Sequence, residues 1–293
     1  MKYYSLVFLL IFFCGCEKSI ILNPETRIPL LVVDGSIENG KAPLVFLSTS
    51  LDYFGKINPQ ILASSLVTDA TITLTDGTDT SLLKPYSFPL GGGYNLVYYT
   101  TDTLNQSAEI MGIPGKKYQL NIKYKSELYT ALTTIPVIAK KIDSLWWKPA
   151  PFNTDSTKVV MMTKVTDPPG YGNFIRYFTK VNQGQFLPGQ FSVFDDQVID
   201  GTTYSIQVDQ GIDRNNLPDE KDYGFFNKGD TITVKFANID KSSFDFWRTL
   251  EFGYSNVGNP FSSPTKVLGN VNNNALGAFC GYGVQYKTLI VPR

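Results

Sequence analysis

The sequence predicts a mainly β protein: an immunoglobulin-like β-sandwich followed by a second β-rich domain with one short helix near residues 242–252. Three observations support this fold class. Aromatic residues make up 14% of the chain, with 17 Tyr and 20 Phe, and aromatic side chains favour pleated strands. Many short segments alternate apolar and polar residues. Turn dipeptides such as Asn39-Gly40 and Asp76-Gly77 separate these segments.

The first predicted domain covers residues 30–138. It starts with LLVVDGSIENG, a strand that ends at an Asn-Gly turn, and APLVFLSTS follows as its hairpin partner. The segment DATITLTDG alternates strictly, which is typical of a half-buried strand. A glycine turn precedes YNLVYYT, and KKYQLNIKYKSELYTALTTIP reads as another hairpin. We expect one helical turn in PQILASSL.

The second predicted domain covers residues 139–293. Its expected strands are KVVMMTKVTDP, NFIRYFTKVNQ, TTYSIQVDQGI, DTITVKFANI and ALGAFCGYGVQYKTLIV. The helix is expected in DKSSFDFWRTLEFGY, with Ser242 as N-cap and Asp245 as its capping-box partner. The proline-rich segment 137–156 predicts the boundary between the domains. For its Trp146-Trp147 pair we favour packing at a strand edge or between domains over a ligand platform.

The first 29 residues predict a secreted, lipid-anchored protein. Lys2 precedes an apolar run, Leu6 to Phe13, that is too short to span a bilayer. Gly15-Cys16 resembles a bacterial lipobox, so we expect cleavage after Gly15 and lipidation of Cys16. This gives a signal peptide at 1–15 and a tether at 16–29. The alternatives are a plain secretory signal or an anchor helix.

The cysteine and histidine content excludes several kinds of chemistry. The chain has three cysteines and no histidine. After loss of Cys14 and lipidation of Cys16, only Cys280 keeps a free thiol, and we expect it to be a small core residue. Without histidine, Ser-His-Asp and Cys-His catalysis and most zinc sites are excluded. The formal net charge is zero, so we expect no nucleic-acid partner.

One acidic segment offers weak candidates for calcium. Residues 208–224 contain the oxygen-bearing side chains Asp209, Asp213, Asn215, Asp219 and Asp222. Their spacing does not match an EF-hand, so the favoured interpretation is a solvated loop and no cofactor. The glycines at 91–93 are expected to form a turn, because no Lys-Ser or Lys-Thr follows them.

A carboxylate-only hydrolase is an alternative that the sequence leaves open. Asp195-Asp196 and Asp219-Glu220 are its candidate pairs, because a glycosidase needs two carboxyl groups a few ångströms apart. Neighbouring residues on a strand point to opposite faces, which argues against either pair. We therefore expect a protein without catalytic residues.

Across nearly the whole mature chain the sequence resembles a family of Bacteroidota lipoproteins, the domain-of-unknown-function family 4249. The resemblance rests on the order and spacing of CEKSI, LLVVDGSIENG, TDATITLTDG, GIPGKKYQLNIKYKSELYTALTTIP, KIDSLWW, DTITVKFANIDKSSFDFWRTL and NPFSSPTKVLGNVNNNALGAFCGYGV. Its first half is also similar to transthyretin-like and carboxypeptidase-regulatory-like sandwiches. No catalytic residues follow from this resemblance. It implies a role beside TonB-dependent outer-membrane receptors.

Together these features predict a non-catalytic lipoprotein of the outer membrane. It would assist a TonB-dependent transporter or capture its ligand, and the sequence leaves open whether it faces the periplasm or the cell surface. The alternative is an adhesive or structural envelope lipoprotein.

Overall fold

The computed structural model describes residues 28–51, 57–102, 109–216, 219, 223–257, 259 and 265–293. It is mainly β, which confirms the predicted fold class. The strands are β1 Leu31–Glu38, β2 Leu44–Thr49, β3 Thr71–Thr75, β4 Thr80–Gly91, β5 Tyr94–Thr100, β6 Lys117–Tyr124, β7 Glu127–Thr134, β8 Lys141–Pro149, β9 Lys158–Thr166, β10 Phe174–Val181, β11 Leu187–Phe194, β12 Thr203–Val208, β13 Phe226–Asn227, β14 Thr231–Ile239 and β15 Leu276–Ile290. The helices are α1 Pro59–Ser65 and α2 Lys241–Ser255.

The described strands form one large sheet and one small sheet. The large sheet has eleven strands in the order β11-β10-β14-β15-β1-β2-β5-β4-β3-β6-β7. In the small sheet, β9 pairs with β8 along one side and with β12 and β13 along the other. Strand β4 pairs with β3 through its first residues and with β5 through its later ones, so it passes from one layer to the next.

The first core lies between two parts of the large sheet, one containing β1 and β2 and the other containing β3 and β6. Apolar residues of β1 and β2 contact those of β3 and β6 there, among them Val33, Leu47, Ile72 and Leu120. Alternate residues of each strand enter this core, because side chains of a strand point to opposite faces in turn. This arrangement is the sandwich expected for the first half of the chain.

The second core lies between the small sheet and the other end of the large sheet. Val159 and Met161 of β9 pack against Ile175 of β10 and Val234 of β14. Trp147 of the edge strand β8 packs against the same cluster, which agrees with the strand-edge interpretation of the Trp146-Trp147 pair.

Both cores cover the same face of the large sheet, whereas α2 covers part of the opposite face. Phe244 and Phe246 of α2 pack with Ala278 and Cys280 of β15 in a third cluster. Phe279 lies between those two β15 residues in sequence and points into the first core instead. The large sheet therefore has one fully covered face and one partly covered face, which we call the helix-side face.

The helix was predicted correctly, but the predicted cap is wrong. Asp240, not Ser242, is the N-cap, and its side chain accepts a hydrogen bond from the backbone N–H of Ser243. The other carboxylate oxygen accepts from the backbone of Thr134 at the end of β7. Asp240 therefore caps α2 and ties it to the first half of the chain, while Asp245 pairs with Lys241.

The two predicted domains contribute strands to one sheet. β15, at the end of the chain, pairs in parallel with β1, and Val33 lies opposite Gly277. A Cβ atom at Gly277 would lie 1.9 Å from the carbonyl oxygen of Val33, so the close approach requires glycine. The division into 30–138 and 139–293 stays a prediction, although the hydrogen bonds of the sheet run across it.

The smaller predictions are mostly confirmed where residues are described. PQILASSL contains α1, and all three glycines at 91–93 have positive φ angles, as a glycine turn requires. The signal peptide, including Gly15 and Cys16, and the tether up to residue 27 lie outside the described residues.

Candidate binding cleft on the helix-side face

A large cleft opens on the helix-side face, where α2 leaves the sheet uncovered. Its volume is about 2310 Å³. Ligand pockets usually measure roughly 300–1,000 Å³, so this cleft is large enough for an extended polypeptide segment or a large nutrient. It is lined by Ile28, Leu30, Val32 and Asp34 of the first strand region, Arg176 and Phe178 of β10, Trp247, Leu250, Glu251 and Tyr254 of α2, Arg214, and Lys266 with much of the segment 267–277.

The strand pattern places the charged groups on the cleft side of the sheet. Val33 and Ile37 enter the first core, so Asp34 between them points to the helix-side face. In β10, Ile175 and Tyr177 enter the second core, and Arg176 points the other way. The regular alternation of β1 and β10 thus brings Asp34 and Arg176 to the same cleft.

Arg176 is the centre of a buried polar cluster at the bottom of this cleft. Only 4% of the residue is exposed. Its guanidinium carbon lies 3.3 Å from the centre of the Trp247 ring and 4.7 Å from that of Phe178, which are cation–π contacts. Its Nε donates to Ser192 Oγ at 3.1 Å, and one terminal nitrogen donates to the Tyr282 hydroxyl at 3.3 Å.

Glu251 balances the charge of Arg176. One carboxylate oxygen lies 3.8 Å from the guanidinium, and the other accepts from the backbone N–H of Ser192 at 2.7 Å. The Ser192 hydroxyl also donates to Glu251. Glu251 comes from α2 and Ser192 from β11, so the cluster joins the helix to the sheet and holds the wall of the cleft in place.

The pKa of Asp34 is raised above its ordinary value of 3.8. Burial by the surrounding walls of the cleft raises it, and the positive charge of Arg176 partly opposes that effect. Solvent reaches the side chain, but protein atoms lie close on most sides, so its hydration is incomplete. Shifted pKa values of this kind occur at binding sites and also in structural ion-pair networks.

A second group of charged residues lies at the far end of the small sheet. Asp167, Asp196 and Asp200 place one carboxylate oxygen each within 4.8 Å of one another. Asp196 accepts from the backbone N–H groups of Gly172 and Asn173, and these bonds outweigh burial and lower its pKa. The ammonium group of Lys140 lies 2.8 Å from Asp167, so the group already contains a positive charge.

The structure does not bring the predicted calcium ligands together where they are described. Asp209 accepts from the side chain of Gln207, and Asp213 accepts from the backbone of Asn215 within its own turn. Among the described residues, the only close group of three carboxylates is the one around Asp167. Asp222 lies outside them, so calcium at 208–224 stays a prediction.

The Asp195-Asp196 pair does not converge on one point. Asp195 faces Arg248 of α2 at 4.0 Å, whereas Asp196 is buried against the loop at 172–173. Glu220, of the second pair, lies outside the described residues. Cys280 is buried and free, and burial raises the pKa of its thiol to about 11, so it is the unreactive core residue that was expected.

Neither charged cluster was predicted from the sequence, although Asp196 had been a candidate carboxylate. Arg176 interrupts the apolar face pattern of NFIRYFTK, and that interruption was a usable signal, because a charged residue inside a core strand needs a partner. Lys140 gave no such signal, since a Lys-Lys pair after a proline-containing segment is typical of an exposed loop.

The described residues form a β-rich fold with a wide cleft beside the helix α2. No helix in the described part of the chain is long and apolar enough to cross a membrane. The model of the family described as domain of unknown function (DUF4249) matches residues 18–288, and the chain belongs to that family. The comparison with curated proteins finds no match.

Proposed function

We propose that this protein is a lipid-anchored accessory subunit of a TonB-dependent transporter in the outer membrane of a Bacteroidota bacterium. The helix-side cleft would hold either a segment of the transporter or the ligand that the transporter imports. The size and lining of the cleft are the main support, because apolar walls with a few charged groups suit a large amphipathic partner.

The anchor part of the proposal rests on the sequence. Gly15-Cys16 follows a short apolar run, as in bacterial lipoproteins, and several acyl chains on Cys16 would give stable membrane attachment. The first described residues, 28–30, line the cleft. The tether therefore ends at the cleft, which would keep the cleft near the membrane surface and near a membrane-embedded partner.

The proposed role is non-catalytic and needs no cofactor. The chain has no histidine, and the two carboxylates Asp195 and Asp196 point to different partners. The similarity of the first half to transthyretin-like sandwiches, which often precede TonB-dependent transporters, supports the same role.

The anchor is tested by changing each cysteine of the CGC segment. Cys16→Ser should move the protein from the membrane to the soluble fraction, and Cys14→Ser should not. Equal membrane attachment of both variants would contradict lipidation at Cys16.

The partnership is tested by purification from detergent-solubilised membranes. A β-barrel transporter should co-purify with the native protein. Its amount should fall when the cleft is altered by Leu276→Arg and stay constant when the remote β7 position is altered by Leu128→Arg. Both leucines are about half exposed, at 45% and 59%, so neither change removes core packing. Purification without any transporter would contradict the proposal.

A further inference from the structure

The Lys140–Asp167 pair differs from an ordinary ion pair in its complete burial. Both side chains have 0% exposure, and Lys140 Nζ lies 2.8 Å from one carboxylate oxygen of Asp167. Despite this distance, neither atom makes a contact with hydrogen-bond geometry. A buried amine and carboxyl group in contact but without a well-formed hydrogen bond are an expensive arrangement unless something else joins them.

Both partners are held in place by their backbones. The N–H of Lys140 donates to the side chain of Asn238, and its carbonyl accepts from Asn238 and from Gln285, each at 3.0 Å. Asp167 follows directly on β9, and its N–H donates to the carbonyl of Thr202. Such fixed placement gives two reacting groups a high effective concentration.

We propose that Lys140 and Asp167 react to form an intramolecular amide, a covalent cross-link between the start of β8 and the end of β9. The amine nitrogen of Lys140 attacks the carboxyl carbon of Asp167, and a carbon–nitrogen bond forms. One carbon–oxygen bond of the carboxyl group then breaks, and that oxygen leaves as water. The water carries off two protons, one from the nitrogen and one from the carboxyl group, so no oxidant or cofactor is required.

The surroundings supply what this condensation needs. The backbone N–H of Gly201 donates to the other oxygen of Asp167 at 3.2 Å and can stabilise negative charge that develops on it. The carboxylates of Asp196 and Asp200 each place one oxygen within 4.8 Å of a carboxylate oxygen of Asp167, so the reacting carboxyl group lies beside two further carboxylates. The complete burial of both side chains keeps bulk water from the pair, which favours loss of water in the condensation.

A second, partly exposed pair provides a control. Lys235 and Glu38 also contact each other, on the helix-side face, but their side chains are 13% and 14% exposed. Lys235 donates a hydrogen bond to one oxygen of Glu38, whereas the other oxygen lies 2.6 Å from the exposed Lys41 without hydrogen-bond geometry, so the control differs from Lys140–Asp167 in exposure. This pair should remain an ordinary ion pair.

The test is mass spectrometry of the full-length protein purified from membranes. A tryptic digest of the native protein should contain a branched peptide that joins residues 126–141 to residues 165–176, lighter by one water than the two peptides together. The intact mass of the native protein should be lower than that of the Lys140→Arg variant by the Arg-to-Lys side-chain difference plus one water. A digest in which both peptides are recovered only as separate linear species would overturn the proposal, and this result does not depend on whether any variant folds.

Two further variants exclude other sources of water loss. Asp-Gly sequences such as Asp200-Gly201 can lose water by forming a cyclic imide, but that product opens in mild alkali and an amide cross-link does not. Asp167→Ala should abolish the branched peptide and Lys235→Ala should leave it unchanged. Persistence of the branched peptide in Asp167→Ala would show that another carboxyl group reacts.

Discussion

The two faces of the large sheet use the same strands for different purposes. On the covered face, Val33, Ile37 and Phe279 are almost completely buried among apolar neighbours. On the helix-side face, the alternate residues include Asp34 and Arg176, and a wide cleft remains open. The comparison shows that alternation along a strand can provide stability on one face and a charged binding surface on the other.

The largest effect is expected on the covered face. Phe279→Ala should lower the free energy of unfolding by about 3–5 kcal/mol, because it removes a fully buried ring and leaves a cavity. Phe252→Ala on the exposed side of α2, where the ring is 51% exposed, is the matched control. It should change stability by less than about 0.5 kcal/mol. Urea unfolding measures both, and equal losses would contradict the assignment of the faces.

Breaking the buried charge cluster should lower the free energy of unfolding somewhat less than Phe279→Ala does. Arg176→Met leaves Glu251 buried without its cation, and such breaks cost about 3 kcal/mol. The double variant Arg176→Met/Glu251→Leu removes both charges and should recover much of that loss. Urea unfolding of the two variants gives the comparison. A double variant less stable than the single one would show that the two residues do not act as a pair.

A third, smaller effect on stability is expected at Asp34, and it depends on pH. Its pKa in the folded state is raised above the ordinary 3.8 by burial, so the folded state holds this proton to higher pH than the unfolded state. The group therefore favours folding most at low pH, and that contribution is lost as pH rises above 3.8.

Asp34→Asn should consequently raise Tm slightly at neutral pH, and the difference should shrink towards pH 3. Thermal unfolding followed by circular dichroism across this range measures it. A variant with a lower Tm at neutral pH would mean that the ionised carboxylate stabilises the fold.

The sequence was sufficient for the strands but not for how they pair. Alternation in the first part of DTITVKFANI follows from local burial. The parallel pairing of β15 with β1 joins residues more than two hundred positions apart and depends on Gly277, whose role no local pattern reveals. The cap of α2 was mistaken because Asp240 and Ser242 both satisfy the capping rule. Asp240 is used because it also bonds Thr133 and Thr134 of β7.

The candidate site was less predictable than the fold for a physical reason. Charges converge in the cleft from β1, β10 and α2, and their proximity is set by the strand order of the sheet and by the packing of α2 on it. The acidic segment at 208–224 was a candidate calcium site because its residues are close in sequence. Lys140, Asp167 and Asp196 are far apart in sequence, and only the folded chain brings them together.

Site-specific photo-cross-linking in intact cells tests the central claim most directly. A photoreactive phenylalanine analogue placed at Leu276 in the cleft, and in a separate variant at Leu128 on β7, compares two exposed positions on different parts of the fold. We predict an adduct with a β-barrel transporter from position 276 and none from position 128. Adducts of equal yield from both positions, or a transporter adduct from position 128 alone, would contradict the assignment of the helix-side cleft as the functional surface.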